Sequence, residues 1–374
     1  MSKSKTLVVV SLCFILFASL SLAQKITKTV PADSPYIQGA KPMFAVIPRT
    51  PAPGAAQPDA QVPIWTNTFT FNGQTFTYHM VGTDPALGSK TSRIPLVIVP
   101  LKFDFVDGTS LSATQRVCGD TKTTLTRVKT SPLLKKVAFT PGGTNVGTTQ
   151  YVDAFQRANF WSQVSTTSPN YHVLLAPIQV KPLQTITAGA AGTTVAGPCA
   201  RIGEVDINFF DTIAMSMLTT LNIPANTLPL FLSYNTFWTF GGCCILGYHS
   251  TDNAGTQAYA VGAYNDPGIF SKPGIRDIHA LSHEIGEWMD DPLIPSQNIV
   301  PAWGHIGQVS GCQNNLEVGD PVTGSAFNVT LNGFTYHPED LVFLPWFARI
   351  SPSTSVNGWY TFLNAFSAPQ GVCQ

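Results

Sequence analysis

The sequence predicts an α+β fold, a mixed or antiparallel β-sheet with a few packed helices. Three observations point there. Gly (30) and Pro (29) are abundant while only 11% of residues are charged, a composition rich in turns and strands and unlike a helical bundle. Several short runs are β-branched or alternate apolar with polar residues, the period of a strand. Two stretches instead place apolar residues three or four apart, the period of a helix.

The elements follow in chain order. Lys3 and Lys5 precede an apolar run from Leu7 to Leu22, and small residues stand at 21 and 23. That layout predicts a secretory signal peptide over 1–23, cut after Ala23. Residues 24–64 hold eight prolines and little periodicity, so a Pro-rich linker or propeptide is expected there. No later apolar run is long enough to span a bilayer, so the mature chain is expected to be soluble, extracellular or periplasmic. Losing two lysines leaves nineteen basic against twenty-one acidic residues, a formal charge of −2, which argues against a nucleic-acid partner.

Order is expected from Trp65 to the end at 374, as one large α+β domain or as halves over 65–200 and 201–374. Phe69, Phe71, Phe76 and Tyr78 alternate with polar residues about Asn72-Gly73, the signature of a hairpin closed by a type I′ turn. Residues 94–105 read as a buried strand, 150–164 as an amphipathic helix, 171–180 as a strand and 187–197 as a loop. A helix is predicted over 204–221, with Val205, Phe209, Ile213, Met217 and Leu221 in phase, then a strand over 228–235. Residues 241–249 and 257–265 read as strands with a disulfide-bearing loop. After a helix over 278–289, the chain reads as loop-rich over 293–326, as a hairpin about Asn332-Gly333, and as a strand over 341–351.

Six cysteines remain after the apolar run that holds Cys13, an even number that suggests disulfides in a secreted chain. Adjacent cysteines are seldom bonded to each other, so Cys243 and Cys244 are expected to take separate partners. No CxxC pair supports a cysteine zinc site.

The segment HALSHEIGEWMDDP, 279–292, carries the chemistry. Residues four apart on a helix are rotated by only about 40 degrees, so His279, His283 and Glu287 share a face. Two such side chains can grip one ion, as in the HExxH zinc motif; here the pattern is HExxE, with a carboxylate for the second histidine. This is a zincin-like metal helix, with Asp277 as its expected N-cap. Glu284 lies about 100 degrees from His283, where it can serve as general base toward an activated water. The expected ligands are His283, Glu287 and, from an acidic loop about thirty residues on, Glu317, with Zn2+ as the ion. Asp320 is a rival ligand or a partner to one, and His249, His279 and His305 are further rivals. Asp290 and Asp291 before Pro292 read as a C-terminal turn.

The ordered set GYHS, LSHEIGEWMDDP, AWGHIG, LEVGDP, FNVTLNG and LVFLPWFARIS, over residues 240–350, resembles the plant EXORDIUM family of phosphate-induced extracellular proteins and its microbial relatives. The matching residues are His283, Glu284, Glu287, Asp291, Pro292, Ala302, Trp303, Glu317, Asp320 and Trp346. Two departures stand out: Pro321 follows Asp320 where a cysteine is common, and Cys312 precedes the loop. The resemblance implies an extracellular role linked to cell walls or growth, and does not by itself imply an activity.

Two functions are carried forward. One is a secreted zinc-dependent hydrolase, a metallopeptidase with a peptide or cell-wall substrate. The other is a non-catalytic wall- or glycan-associated protein with a structural metal; a β-rich protein without metal is the third class.

Overall fold

A computed structural model describes residues 41–49, 61–293 and 298–374. The expected signal peptide and most of the Pro-rich lead-in lie outside the described residues. The fold is α+β, built on one curled 11-stranded mixed sheet.

The chain opens with β1 (Met43–Ile47), inside the stretch expected to be a linker. Pro42 and Pro48 bracket this five-residue apolar run, and it pairs in parallel with a later strand instead of trailing in solvent. The hairpin of β2 (Ile64–Phe71) and β3 (Gln74–Val81) is as expected, with φ of 48° at Asn72 and 78° at Gly73. The strand β4 (Thr91–Asp104) is the axis of the sheet, followed by β5 (Ser110–Ser112), α1 (Thr124–Lys129), β6 (Val137–Phe139) and β7 (Gly147–Thr149). Pro95 has no N–H for a ladder, and the register of β4 slips between Ile94 and Leu96.

The helix expected over 150–164 is two pieces, α2 (Tyr151–Asn159) and α3 (Trp161–Val164), broken where Phe160 leaves helical geometry. Next come β8 (His172–Val180), β9 (Gln184–Thr187), β10 (Gly192–Val195) and β11 (Ile202–Asp206). The supposed loop at 187–197 therefore contains a strand, and the helix expected from 204 begins later, as α4 (Ile207–Thr220). Asp206 explains the shift: its carboxylate accepts from Phe209 N at 2.9 Å as an N-cap, leaving the residues before it extended.

Four further strands follow: β12 (Leu228–Tyr234), β13 (Thr236–Thr239), β14 (Ile245–Thr251) and β15 (Ala258–Tyr264). The sheet runs β10-β11-β13-β14-β15-β12-β4-β5, with β1 on β14 and β8 and β9 on β4. Strands from both supposed halves interleave in it, around one continuous apolar core.

The metal-motif helix is α5 (His279–Asp290), and every one of its residues is buried. It lies across β14 and β15, and two glycines permit the approach. A Cβ at Gly262 would stand 2.6 Å from Leu281 Cδ2, and one at Gly247 would stand 2.6 Å from Glu284 Cγ. Asp277 is not the N-cap, which is Ile278. Asp277 adopts φ 46° and ties the helix start to a distant loop, accepting from His337 N at 2.9 Å.

The stretch read as loop-rich contains a ribbon, β16 (Trp303–Ile306) and β17 (Val309–Gln313). β18 (Val329–Leu331) and β19 (Phe334–Tyr336) form the second expected hairpin. The expected strand at 341–351 is instead a short helix, α6 (Leu344–Phe347), where Pro345 suits a first turn and has no N–H to offer a ladder. Disulfides join Cys118 to Cys199, Cys312 to Cys373 and, against expectation, Cys243 to Cys244. No helix among the described residues is long and apolar enough to cross a membrane.

Candidate metal centre

Helical phase alone brings His283, Glu284 and Glu287 together, and the sheet and a loop supply the rest. His249, at the middle of β14, points its Nδ1 at Glu284 Oε2 (3.1 Å) and Glu287 Oε2 (3.7 Å). The loop after β17 supplies Glu317, 3.9 Å from His249 Nε2, and Asp320, 3.5 Å from His283 Nε2. Glu287 lies between both histidines, its Oε1 2.9 Å from His283 Nε2 and accepting from Gly319 N at 3.2 Å.

Two sets of ligand-type atoms result, His249 with Glu284 and Glu287, and His283 with Glu287 and Asp320; in each, the atoms lie within 4.8 Å of one another. Glu317 faces His249 and also hydrogen-bonds Glu287. His279 turns toward Glu339, its Nε2 3.3 Å from Oε1. His305 is exposed beside Cys312, apart from these sets. Asp290 is the last residue of the helix and Asp291 its C-cap; both are buried, and rather than forming a local turn Asp290 accepts from Gln156 and Asp291 from Leu316.

Sequence reasoning missed three contributors. Glu339 accepts from His283 Nδ1 at 2.7 Å and fixes which ring nitrogen faces the cluster. The ring of Phe44 stacks on the His283 imidazole, with centroids 3.5 Å apart and planes 12° from parallel. Gln308 donates to Asp320 and pairs with the backbone of Phe44. The available signals were weak: an acidic pair after Pro338 for Glu339, and an apolar run between prolines for Phe44.

Burial, then the neighbouring Glu287 charge, pushes the carboxyls of Glu284 and Glu317 well above the usual range and that of Asp320 up to about 6. Burial also raises Glu287, but His283 outweighs it and holds that carboxyl low. Burial pulls His249 down to about 4. For His283 burial works in the same sense, yet Glu287 and Glu339 together hold the imidazole well above its ordinary value.

The donor set fits a metal ion. Four buried carboxylates and two imidazoles face one another, and His249 Nε2 and Glu284 Oε1 are buried without a hydrogen-bond partner. Unpartnered buried polar atoms are costly unless a further group satisfies them. The site is not sealed, for Glu317 and Asp320 line a cleft of about 380 Å3 between β1 and β17. No family model, curated protein or solved structure matches the chain.

Proposed function

We propose that this chain is a secreted, zinc-dependent hydrolase, a metallopeptidase whose centre is held by His283, Glu287 and Asp320. The observation that carries it is the convergence of these buried side chains with Glu284 and His249, beside a cleft whose wall includes Asp320 and Glu317. An imidazole among the ligands suits zinc better than calcium, which takes oxygen ligands. Bound zinc would polarise a carbonyl and acidify water. Glu284 is the proton carrier: burial raises its carboxyl, as suits a group that takes a proton and returns it. His249 orients it through the 3.1 Å contact at Nδ1. Glu339 holds the His283 ring, and Glu317, hydrogen-bonded to Glu287, stands ready to orient a ligand or to bind in place of Asp320.

Secretion, and kinship with the EXORDIUM-like extracellular proteins, belong to the same reading; the three disulfides suit an oxidising compartment. A structural metal is the competing reading, favoured by the near-complete burial of the donors. Metal analysis of the purified chain separates the possibilities. Stoichiometric zinc that is lost in Glu287→Ala supports the centre, and metal-free protein of full stability sinks it. Glu284→Gln should keep the metal and abolish peptide cleavage; unchanged cleavage would exclude Glu284 as the base.

A further inference from the structure

Two neighbouring cavities that share part of their walls lie beside the candidate centre. The first, of about 380 Å3, lies between β1 and β17 with Glu317 and Asp320 in its wall. The second, of about 450 Å3, extends from Met43 past Phe270 and Lys272 to Thr323. Met43, Gln308, Val309 and Ser310 line both. Gln308 is the one of the four that also contacts a candidate metal ligand. Its Oε1 accepts from Phe44 N at 2.6 Å, and its Nε2 donates to Phe44 O at 3.1 Å and to Asp320 Oδ1.

That pairing has a chemical meaning. A carboxamide carries the donor and acceptor of a peptide group. Taking both the N–H and the C=O of a single strand residue is what the residue opposite does in an antiparallel ladder. Gln308 thus meets β1 as an adjacent strand would, while contacting a candidate metal ligand. Its own backbone is fixed, because Gln308 N donates to Asp320 O at 3.2 Å and Gly307, at φ 60°, has no room for a Cβ beside Asp320 O. The side chain carries no such backbone constraint, and both cavities border it.

We propose that Gln308 is an internal stand-in for a substrate peptide group, and that an extended polypeptide binds along the joined cleft by displacing it from Phe44 and Asp320. The inference rests on the peptidase reading and deepens it by naming the substrate class, an unfolded polypeptide in strand conformation. Main-chain pairing to Phe44 supplies sequence-tolerant affinity, and the two cavities receive side chains. The stacking of Phe44 on His283 sets the register, since it fixes the docking residue against the centre.

Fluorescein-labelled, carboxymethylated insulin B chain serves as an unstructured probe, with binding followed by fluorescence anisotropy and zinc measured on the same samples. Gln308→Ala and the nearly isosteric Gln308→Met remove the internal competitor. Both should bind the probe about fivefold more tightly than the parent chain, the worth of roughly one net hydrogen bond. A photoreactive version should mark residues 43–47 or 309–313. Unchanged or weaker binding in the folded Met variant overturns the proposal, as does cross-linking elsewhere. Tighter binding in protein that holds no zinc keeps the groove and removes the metal reading, so the two fail separately.

Discussion

Gly319 lies against the imidazole of His283: a Cβ at this glycine would stand 2.3 Å from Nδ1 and 2.5 Å from Cε1. The ring is already held by Phe44 on one face and by Glu339 at Nδ1, so it has no ready retreat. Gly319→Ala should therefore displace His283, abolish stoichiometric metal binding and cost about 1–3 kcal/mol of stability through overpacking. Gly311→Ala, where a Cβ meets nothing within 4 Å, is the matched control. Metal content and urea midpoints of the two variants check this; a metal-replete Gly319→Ala would contradict it.

Glu339 should matter to the metal without touching it. Removing the partner of a ligating histidine typically weakens metal affinity by about 10–100-fold. Glu339→Gln keeps the size of the side chain and gives up the charge beside His283 Nδ1. Competition against a chromogenic chelator should show a loss in that range, and equal affinity would remove Glu339 from the centre.

Stability should fall with rising pH on account of Asp340. Burial raises its carboxyl from 3.8 to about 7, against opposing hydrogen bonds from Thr361, Leu363 and Leu341. Between those values the folded chain keeps a proton that the unfolded chain has released. The stabilisation is thus complete below 3.8 and is lost as pH rises through about 7. Asp340→Asn, a neutral mimic of the protonated acid, should flatten this dependence when unfolding midpoints are compared from about pH 5 to about pH 8. A variant whose profile parallels the parent's would show that Asp340 is not the group responsible.

The Cys312–Cys373 bridge ties β17 to the C-terminus across a sequence separation of 61. Chain entropy assigns such a loop about 4 kcal/mol. Cys373→Ser should lower stability by roughly 2–4 kcal/mol and make the last residues more open to proteolysis. Mass spectrometry of a limited digest reads the second effect directly, and an unchanged digest would mean that other contacts hold the tail.

Some of this was legible and some was not, for physical reasons. His283, Glu284 and Glu287 could be placed together because helical phase is local, and Asn72-Gly73 and Asn332-Gly333 announced their hairpins because the turn chemistry sits in two adjacent residues. His249, Glu317 and Asp320 stand out in the sequence by residue type, but their arrival depends on sheet order and a returning loop, which no local pattern encodes. Glu339 was invisible because its partner His283 is 56 positions away. The LPWF helix reads as a strand because an apolar aromatic run has no distinctive period over four residues. β1 was hidden by its flanking prolines, which mark it as lead-in although they merely bracket a strand.

That strand bears on how the molecule behaves in company. β14 is buried along its whole length, and β1 pairs with it from Ile245 to Ser250, anchored beyond its end by the Arg49–Asp211 ion pair. An uncovered apolar strand edge is a template for pairing with another chain. A version of this protein shortened to begin after residue 49 would present such an edge, and two copies would be able to join along it. Solubility, as much as the geometry beside His283, thus depends on five residues near the start of the described chain.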